Sequence, residues 1–220
     1  MKAFLQDAAD FLPILLHGCV LTLQVTLLAL LLATLLGFVW MLARISPIGP
    51  LAKAGGVLIA TIRGIPIIVQ LFYIYFVMPE IGIQLSAFQA GVIGLGVAYS
   101  AYQAEVFRSG ILAIGHGQTD AARSLGLTGP QVMRHVVLPQ AARVILPPYG
   151  NTMIMMLKDS SIVSTITVAE LARSGQLIAA STFKNMTVFT LVALLYLAMS
   201  IPLTLLTSWL EKRFGRGFRR

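Results

Sequence analysis

Charged residues are scarce in this sequence. Only 11% of its 220 residues are charged, whereas 57% are hydrophobic, and the mean hydropathy is +0.86. Soluble proteins average roughly 25% charged residues, so this chain has too few polar side chains to cover a water-soluble globule of its size. The scarcity of charge excludes an ordinary soluble domain and favours a membrane protein.

Charge is absent altogether from three long segments. Residues 11–43, 81–104 and 185–210 contain no Asp, Glu, Lys or Arg. Each segment exceeds the roughly 20 residues that a helix needs to cross the hydrocarbon core of a bilayer. The first is also longer than the apolar region of a secretory signal, about 7–15 residues, and acidic rather than basic residues precede it. We therefore predict that these segments are retained membrane-spanning helices.

Cysteine and catalytic motifs are also missing. Cys19 is the single cysteine, so neither an internal disulfide nor a cysteine-based metal cluster can form. The three histidines lack a partner at helical spacing, and we expect no metal site. The sequence contains no Gly-x4-Gly-Lys-Ser/Thr phosphate loop, no His-Glu-x-x-His and no Gly-x-Ser-x-Gly motif. We predict a non-catalytic chain that binds no cofactor.

We predict that residues 1–220 form a single all-α bundle with five membrane-spanning helices. We place them at about 12–43, 54–79, 86–110, 137–158 and 186–210. This arrangement leaves four basic residues on one side of the membrane, namely Lys2, Lys158, Arg173 and Lys184, and the remaining basic residues on the other side.

Basic residues collect in cytoplasmic loops, which predicts an N-terminus outside and a C-terminus in the cytoplasm. The net charge of +8 is thereby explained without nucleic acid. The basic tail, which includes Arg216, Arg219 and Arg220, is expected to contact anionic lipid.

Two of the predicted spans are irregular. The second contains Arg63, followed by Gly64 and Pro66, and an Arg at membrane depth usually faces the protein interior or a water-filled cavity. The fourth has a short uncharged stretch, 144–157, followed by Lys158 and Asp159. Transporters often place substrate sites at interrupted helices near the midplane. Alternatively, Lys158 and Asp159 mark a simple helix end at the outer interface.

The sequence of the loop at 112–136 predicts a short exposed helix. Thr119 is a good N-cap, Asp120 suits the first turn, and Gly126 is a natural stop. Gly129 and Pro130 then predict the start of a second helix. A separately capped helix between two spans has the form of a docking element, although an ordinary loop helix would have the same sequence features.

This loop resembles that of binding-protein-dependent ABC importer permeases, and it is hereafter called the coupling loop. Their pattern is Glu-Ala-Ala-x3-Gly-x9-Ile-x-Leu-Pro, and this chain keeps every interval with Asp120-Ala121-Ala122, Gly126 and Val136-x-Leu138-Pro139. Asp for Glu and Val for Ile are mild departures. The resemblance extends over nearly the whole chain and is strongest to permeases of polar amino-acid importers of the histidine, glutamine, arginine and cystine types. Their second-span motif is usually Arg-Gly-Thr-Pro, from which Ile65 departs.

The resemblance implies an ABC type I importer permease fold in the bacterial cytoplasmic membrane. Such permeases pair as dimers, with a second copy or a sister permease, and bind two cytoplasmic ATPase subunits that hold ATP and Mg. A periplasmic or lipid-anchored binding protein delivers a polar amino acid, which then crosses by alternating access. The helix at 119–126 would couple the permease to the ATPase through Thr119, Asp120, Ala121, Ala122, Leu125 and Gly126.

Two further sets of residues are candidates for function. An amino acid presents an ammonium and a carboxylate, so Lys158, Asp159 and Ser160 are candidate substrate contacts, and the resemblance to arginine importers supports this choice. Arg63 and Glu105 could neutralise each other, as a structural pair or as part of a gate. Arg108 is a local alternative partner for Glu105.

Other classes of membrane protein fit the sequence less well. A secondary transporter commonly contains duplicated halves, for which five spans leave no room, and the coupling loop would have no purpose in it. No selectivity-filter repeat suggests a channel subunit, and no cluster of catalytic residues suggests a membrane enzyme.

Overall fold

The structure, a computed structural model, describes residues 2–214, and the C-terminal Arg216, Arg219 and Arg220 lie outside the described residues. Within that range the chain is helical throughout its regular elements. The long helices are α1 (Lys2–Arg44), α4 (Ala87–Leu112), α7 (Leu138–Asp159) and α9 (Asn185–Phe214). The shorter ones are α2 (Gly49–Gly64), α3 (Ile67–Phe72), α5 (His116–Ser124), α6 (Gly129–Val132) and α8 (Leu171–Thr182).

At three places an α-helix is followed directly by a π-helical or 3-10 segment. After α3 the chain forms a π-helical turn (Tyr73–Val77) and a 3-10 turn (Met78–Ile81). Another π-helical turn (Met133–Val137) joins α6 to α7, and a 3-10 helix (Ser160–Ile166) follows α7. Such departures from α-helical geometry interrupt the regular hydrogen-bond ladder and often occur at functional positions.

The centre of the bundle is the contact between α1 and α4. A Cβ atom on Gly37 of α1 would lie 2.8 Å from the Ser100 carbonyl oxygen of α4, and one on Gly96 would lie 2.7 Å from Leu32 Cδ2. Small residues let helix backbones approach closely in a membrane, where van der Waals packing drives association. The largest apolar cluster is built around this pair and includes Val25, Leu71, Leu95 and Met156.

Two helices are long and apolar enough to cross a membrane by themselves, Gln6–Arg44 within α1 and Asn185–Phe214. A third candidate arises if α2 and the segment Ile67–Ile81 count as one span, although the two are bent by 96° at the break between them. The prediction of a membrane protein is supported, and the count of five spans stays a prediction.

Apart from helix ends that extend beyond the predicted spans, such as the start of α1 at Lys2, the structure differs from the predicted spans at two places. The second span is broken at Ile65 and Pro66, because proline lacks the N–H that would continue the helix. The region between the fourth and fifth spans, to which we assigned no element from the sequence, contains α8. This helix packs its apolar face against α1 and α9 around Leu15, Leu171 and Leu191.

Candidate functional site

The helix of the coupling loop begins one turn earlier than predicted. Gly115 is its N-cap residue, and no side chain caps its first turn. Our prediction of Thr119 as the N-cap, with Asp120 in the first turn, is wrong. Thr119 lies inside α5, where its hydroxyl donates to the His116 carbonyl at 2.7 Å. An exposed helix end can begin without a side-chain cap because water satisfies its free N–H groups.

The end of α5 lies where the sequence predicted it. Gly126 adopts a φ of 84°, a left-handed conformation that glycine reaches without steric cost. Its N–H donates to the Arg123 carbonyl at 2.9 Å, and the Leu127 N–H donates to the Ala122 carbonyl at 3.2 Å. These two bonds form a Schellman motif, which ends a helix by satisfying its last carbonyls. The stop at Gly126 is confirmed.

The residues of α5 divide between an anchored and a free face. Ala122 is only 6% exposed and packs into a cluster with Ile114, Val132 and Ala141 at the base of α7. In contrast, Asp120 and Ala121 are exposed, and Leu125 is 81% exposed. The helix is thus fixed to the bundle through one small residue, and of its other predicted coupling residues only Thr119 is half-buried while the rest are exposed.

The second predicted helix of the loop is α6. Pro130 lies in its first turn, as predicted. The Thr128 N–H at its start donates to Gln131 Oε1 at 2.8 Å, which is one half of a capping box. The π-helical turn then joins α6 to α7, so the packed loop is continuous with the base of that long helix.

Asp159 is half-buried and packs against α4. It is the last residue of α7, and its Oδ2 accepts a hydrogen bond from the Tyr99 hydroxyl at 2.6 Å. Tyr99 lies halfway along α4, which spans Ala87–Leu112, and is 2% exposed. The end of α7 therefore meets α4 near the middle of its length.

Lys158 and Ser160, the neighbours of Asp159, lie in different surroundings. Lys158 is exposed, on the same helical face as Asn151 and Met155, which are also exposed. Ser160 is fully buried, and its hydroxyl donates to the Leu157 carbonyl at 2.7 Å. Of the three predicted substrate contacts, Lys158 and Asp159 are open to a ligand, whereas Ser160 lies beneath the surface.

Arg63 and Glu105 do not pair with each other. Arg108 makes a salt bridge with Glu105 at 2.7 Å, three residues along the same helix. The Arg63 guanidinium lies over the ring of Tyr102, 5.2 Å from its centroid, which is within the range of a cation–π interaction. The local alternative for Glu105 is therefore the one that forms, because helical spacing brings Arg108 close without any tertiary contact.

Glu170 is a buried polar residue that sequence reasoning missed. It is fully buried and accepts hydrogen bonds from the Tyr196 hydroxyl at 2.6 Å and from the N–H groups of Ala172 and Arg173 at 2.9 and 2.8 Å. The Thr22 hydroxyl lies 3.3 Å from the same carboxylate. Glu170 thus caps α8 and ties it to α1 and α9. The only sequence feature that could have indicated this role is the position of an acidic residue directly before a helix.

Gln70 is a second residue that we missed. Pro66 has no N–H, so the Ile62 carbonyl, four residues earlier, lacks its helical partner. The Gln70 side-chain amide donates to this carbonyl at 2.8 Å and to the Ile65 carbonyl at 2.9 Å. It therefore satisfies two carbonyls at the 96° bend. Nothing in the local sequence distinguishes Gln70 from a polar residue of an ordinary helix.

No group of three or more His, Cys, Asp or Glu side chains that could hold a metal ion occurs within residues 2–214. The candidate site consists instead of separate polar side chains, such as Gln70, Asp159 and Glu170, each of which lies at a helix break or a helix end.

Comparison with known proteins identifies the family. Residues 29–216 match the model of the binding-protein-dependent transport system inner membrane component. The chain belongs to this family of ABC transporter permeases. A probable amino-acid ABC transporter permease of Sinorhizobium fredii is 39% identical to the permease over 88% of this chain and 84% of its own length.

Two relatives from Bacillus subtilis have names that include a substrate. A probable glutamine ABC transporter permease is 37% identical to this permease, over 90% of this chain and 91% of its own. An L-cystine transport system permease is 36% identical, over 94% and 89%. The permease thus belongs among the amino-acid permeases of the family.

Solved structures support the fold. The crystal structure of an amino acid ABC transporter with histidines is 38% identical to the permease, covers 94% of this chain and 97% of its own, and superposes with a TM-score of 0.90. A methionine ABC transporter in an inward-facing conformation superposes with a TM-score of 0.76 at 21% identity, a likeness of fold alone. The predicted all-α type I permease fold is confirmed.

Proposed function

We propose that this permease imports a polar amino acid by alternating access and is driven by a separate ATPase that docks on α5. The observation that carries the proposal is the division of α5 into a buried Ala122 and a free face ending in Leu125. An apolar side chain that is 81% exposed at a helix end is well placed to enter a groove on a partner. Small residues beside it allow that partner to approach closely.

The membrane arrangement that fits this role has five spans: α1, the bent pair α2–α3, α4, α7 and α9. The coupling loop then lies in the cytoplasm of a bacterium, with the N-terminus outside and the C-terminus inside the cell. The excess of Lys and Arg on the side of the coupling loop supports this orientation.

A second permease subunit is part of the proposal. Asn151, Met155 and Lys158 are exposed on one face of α7, and polar or charged groups at membrane depth normally face protein or a water-filled cavity rather than lipid. A second copy, or a sister permease, would cover this face and enclose a pathway beside Lys158. We therefore place the dimer contact around α7, while the lipid contacts the apolar outer faces of the bundle.

The substrate site that we propose lies at the end of α7. Asp159 would bind the ammonium of the amino acid and Lys158 its carboxylate, while Ser160 supports the turn from beneath. The meeting of Asp159 with the middle of α4 argues for a site within the membrane and against a simple helix end at the outer interface. Glutamine and cystine, named for two relatives, are the first substrates to test.

In this proposal ATP, Mg and the incoming amino acid are first bound by partner proteins and not by the permease. The ATPase subunits bind ATP and Mg, so the permease needs no cofactor of its own. A periplasmic or lipid-anchored binding protein delivers the amino acid from outside. The permease contributes the pathway and the coupling helix, and it has no part in nucleic-acid binding.

Leu125→Asp tests the docking role of α5. We expect this variant to insert normally but to lose co-purification of the ATPase subunit and at least about tenfold of amino-acid uptake, because a buried interfacial anchor replaced by a charge typically costs 2 kcal/mol or more, roughly thirtyfold in binding. The measurements are the ratio of ATPase to permease after affinity purification and radiolabelled uptake in vesicles.

Leu177→Asp is a matched control for this experiment. Leu177 on α8 is 52% exposed and lies far along the chain from the coupling loop, so its replacement should leave the ATPase bound. If the Leu125→Asp permease still carried its ATPase in full and took up amino acids at the wild-type rate, docking through α5 would be refuted.

A further inference from the structure

We propose that Tyr99 is a positioning residue for the substrate: its hydroxyl holds one oxygen of Asp159 so that the other oxygen receives the ammonium group of the amino acid. The inference rests on the proposed role of Asp159. It names the group that orients this carboxylate, and it predicts that amino-acid affinity depends on a residue that the substrate does not touch.

The two oxygens of Asp159 differ in their surroundings. Oδ2 accepts the hydrogen bond from the Tyr99 hydroxyl at 2.6 Å. Oδ1 has no hydrogen-bond partner among residues 2–214, yet it is not one of the buried unpartnered atoms of the described chain, which belong to Gln103. Oδ1 therefore keeps some exposed surface and a free acceptor position, while Oδ2 is engaged. A carboxylate in this state presents one oxygen in a defined direction.

Tyr99 is held rigidly enough to orient its partner. It is 2% exposed and belongs to the apolar cluster between α1, α4 and the end of α7. Its ring lies 5.8 Å from that of Tyr102, which in turn carries the Arg63 guanidinium. A tyrosine that is packed on all sides has few alternative rotamers, so the position of its hydroxyl is set by α4 rather than by Asp159.

Asp159 needs an external support because of its position. It is the last residue of α7, where the chain changes to a 3-10 helix at Ser160. The Asp159 side chain is only half-buried, so packing alone does not restrict the carboxylate to one rotamer. A charge-assisted hydrogen bond from a rigid neighbour is short and strong, and it supplies the missing orientation.

A structural tie between α4 and α7 is the alternative explanation for the same contact. A tie would matter for assembly and stability, whereas a positioning contact would matter for the affinity of the amino acid. The two explanations are separated by measuring ligand binding on complexes that have assembled normally.

The experiment compares two Tyr→Phe variants in the complex of the permease with its ATPase, without the binding protein. Tyr99→Phe removes the hydroxyl that bonds to Asp159. Tyr149→Phe removes a hydroxyl that bonds instead to Thr34 at 2.8 Å, so it controls for the loss of a bonded tyrosine hydroxyl elsewhere. The Kd values of labelled glutamine, cystine, histidine and arginine are measured by equilibrium binding.

We expect Tyr99→Phe to raise the Kd of whichever amino acid the wild-type complex binds by about tenfold, since a hydrogen bond to a charged group contributes of that order. Tyr149→Phe should leave the Kd within about twofold of wild type. In an Asp159→Asn background, Tyr99→Phe should have almost no further effect, because the carboxylate that it positions is gone.

Different results would overturn different parts of the scheme. Normal binding by Asp159→Asn, or no binding of any of the four amino acids by the wild-type complex, would refute the substrate site itself and the inference with it. Weak binding by Asp159→Asn combined with normal binding by Tyr99→Phe would overturn the positioning role alone. Failure of Tyr99→Phe to assemble with the ATPase would identify the contact as a structural tie and would also overturn it.

Discussion

The pair α1–α4 and the two broken segments, α2–α3 and α7 with its 3-10 helix, lie side by side but are built differently. The pair consists of uninterrupted helices whose small residues, such as Gly37 and Gly96, bring the backbones together. The broken segments contain Pro66 and the junction at Asp159, and each is supported by a polar side chain, local at the first break and from α4 at the second. Gln70 serves the first break, and Tyr99 the second.

This difference shows how a membrane bundle can hold polar groups. A continuous helix satisfies its own backbone, so it can serve as a framework with apolar packing alone. An interrupted helix frees backbone carbonyls and exposes polar side chains, which need partners when they lie inside protein. In this permease the framework helix α4 provides such a partner in Tyr99, so the regular region positions the irregular one.

The largest expected effect is on the polar tie that holds α8 to the framework. Glu170→Ala removes the acceptor of the Tyr196 hydroxyl and of two backbone N–H groups, and it leaves these partly buried donors without a partner. We expect the free energy of unfolding to fall by about 4 kcal/mol, measured by denaturant unfolding in detergent micelles. Glu80→Ala, at an exposed acid, is the control, and an equal loss in both variants would contradict the role of Glu170.

The second largest loss of stability is expected at the close contact between α1 and α4. The Cβ atom of an alanine at Gly37 would lie 2.8 Å from Gln103 Cβ and from a backbone oxygen, which cannot move without separating α1 from α4. Gly37→Ala should lower the free energy of unfolding by about 2 kcal/mol and reduce membrane yield. At Gly64 an added Cβ meets nothing within 4 Å, so Gly64→Ala should be tolerated. Equal yields for the two variants would show that the helix contact is looser than described.

A third prediction concerns the break at Pro66. Gln70→Met keeps the length of the side chain but leaves the carbonyls of Ile62 and Ile65 without their donor. We expect a loss of about 1–2 kcal/mol in stability and slower uptake, because the bend is no longer held in one geometry. Gln84→Met, at an exposed glutamine, serves as the control. Thermal unfolding and uptake rates provide the measurements, and wild-type values for Gln70→Met would contradict the support of the bend.

The smallest effect on stability is expected in the coupling loop. Gly126→Val places a β-branched residue at a φ of 84°, which costs roughly 1–2 kcal/mol locally. The bundle should remain inserted and folded, whereas uptake and ATPase co-purification should be lost because α5 no longer ends correctly. Gly129→Val, at a glycine without positive φ and with open space around it, is the control. Normal uptake by Gly126→Val would argue that the end of α5 does not matter for docking.

Local sequence signals predicted much of the fold. Uncharged runs located the long helices α1, α4 and α9, and the Gly126 stop and the Pro130 start located two boundaries in the coupling loop. The interval pattern from Asp120 to Pro139 pointed to the family that the comparisons identify. Each of these signals is a feature of one continuous stretch of sequence, so no tertiary information was needed.

The hydrogen bonds of Asp159 and Glu170 could not be predicted, because the residues that they join are far apart in the chain. Asp159 was selected from the sequence, but its donor Tyr99 lies 60 residues away. Thr22 and Glu170 are separated by 148 residues. Thr119 was placed as an N-cap because its residue type suits that position, and the helix began earlier since its exposed first turn needs no side-chain cap. Residue type alone does not decide such choices.

By itself, the sequence determined that this protein is a helical membrane permease with an exposed loop helix that ends at Gly126, because hydropathy and glycine stops act within one stretch of the chain. Only the tertiary structure decided which polar groups meet: Tyr99 with Asp159, Gln70 with the carbonyls at Pro66, and Glu170 with three helices. The reason is physical. A polar group buried among apolar helices takes whichever partner the packing brings within hydrogen-bond distance, and packing depends on the whole chain.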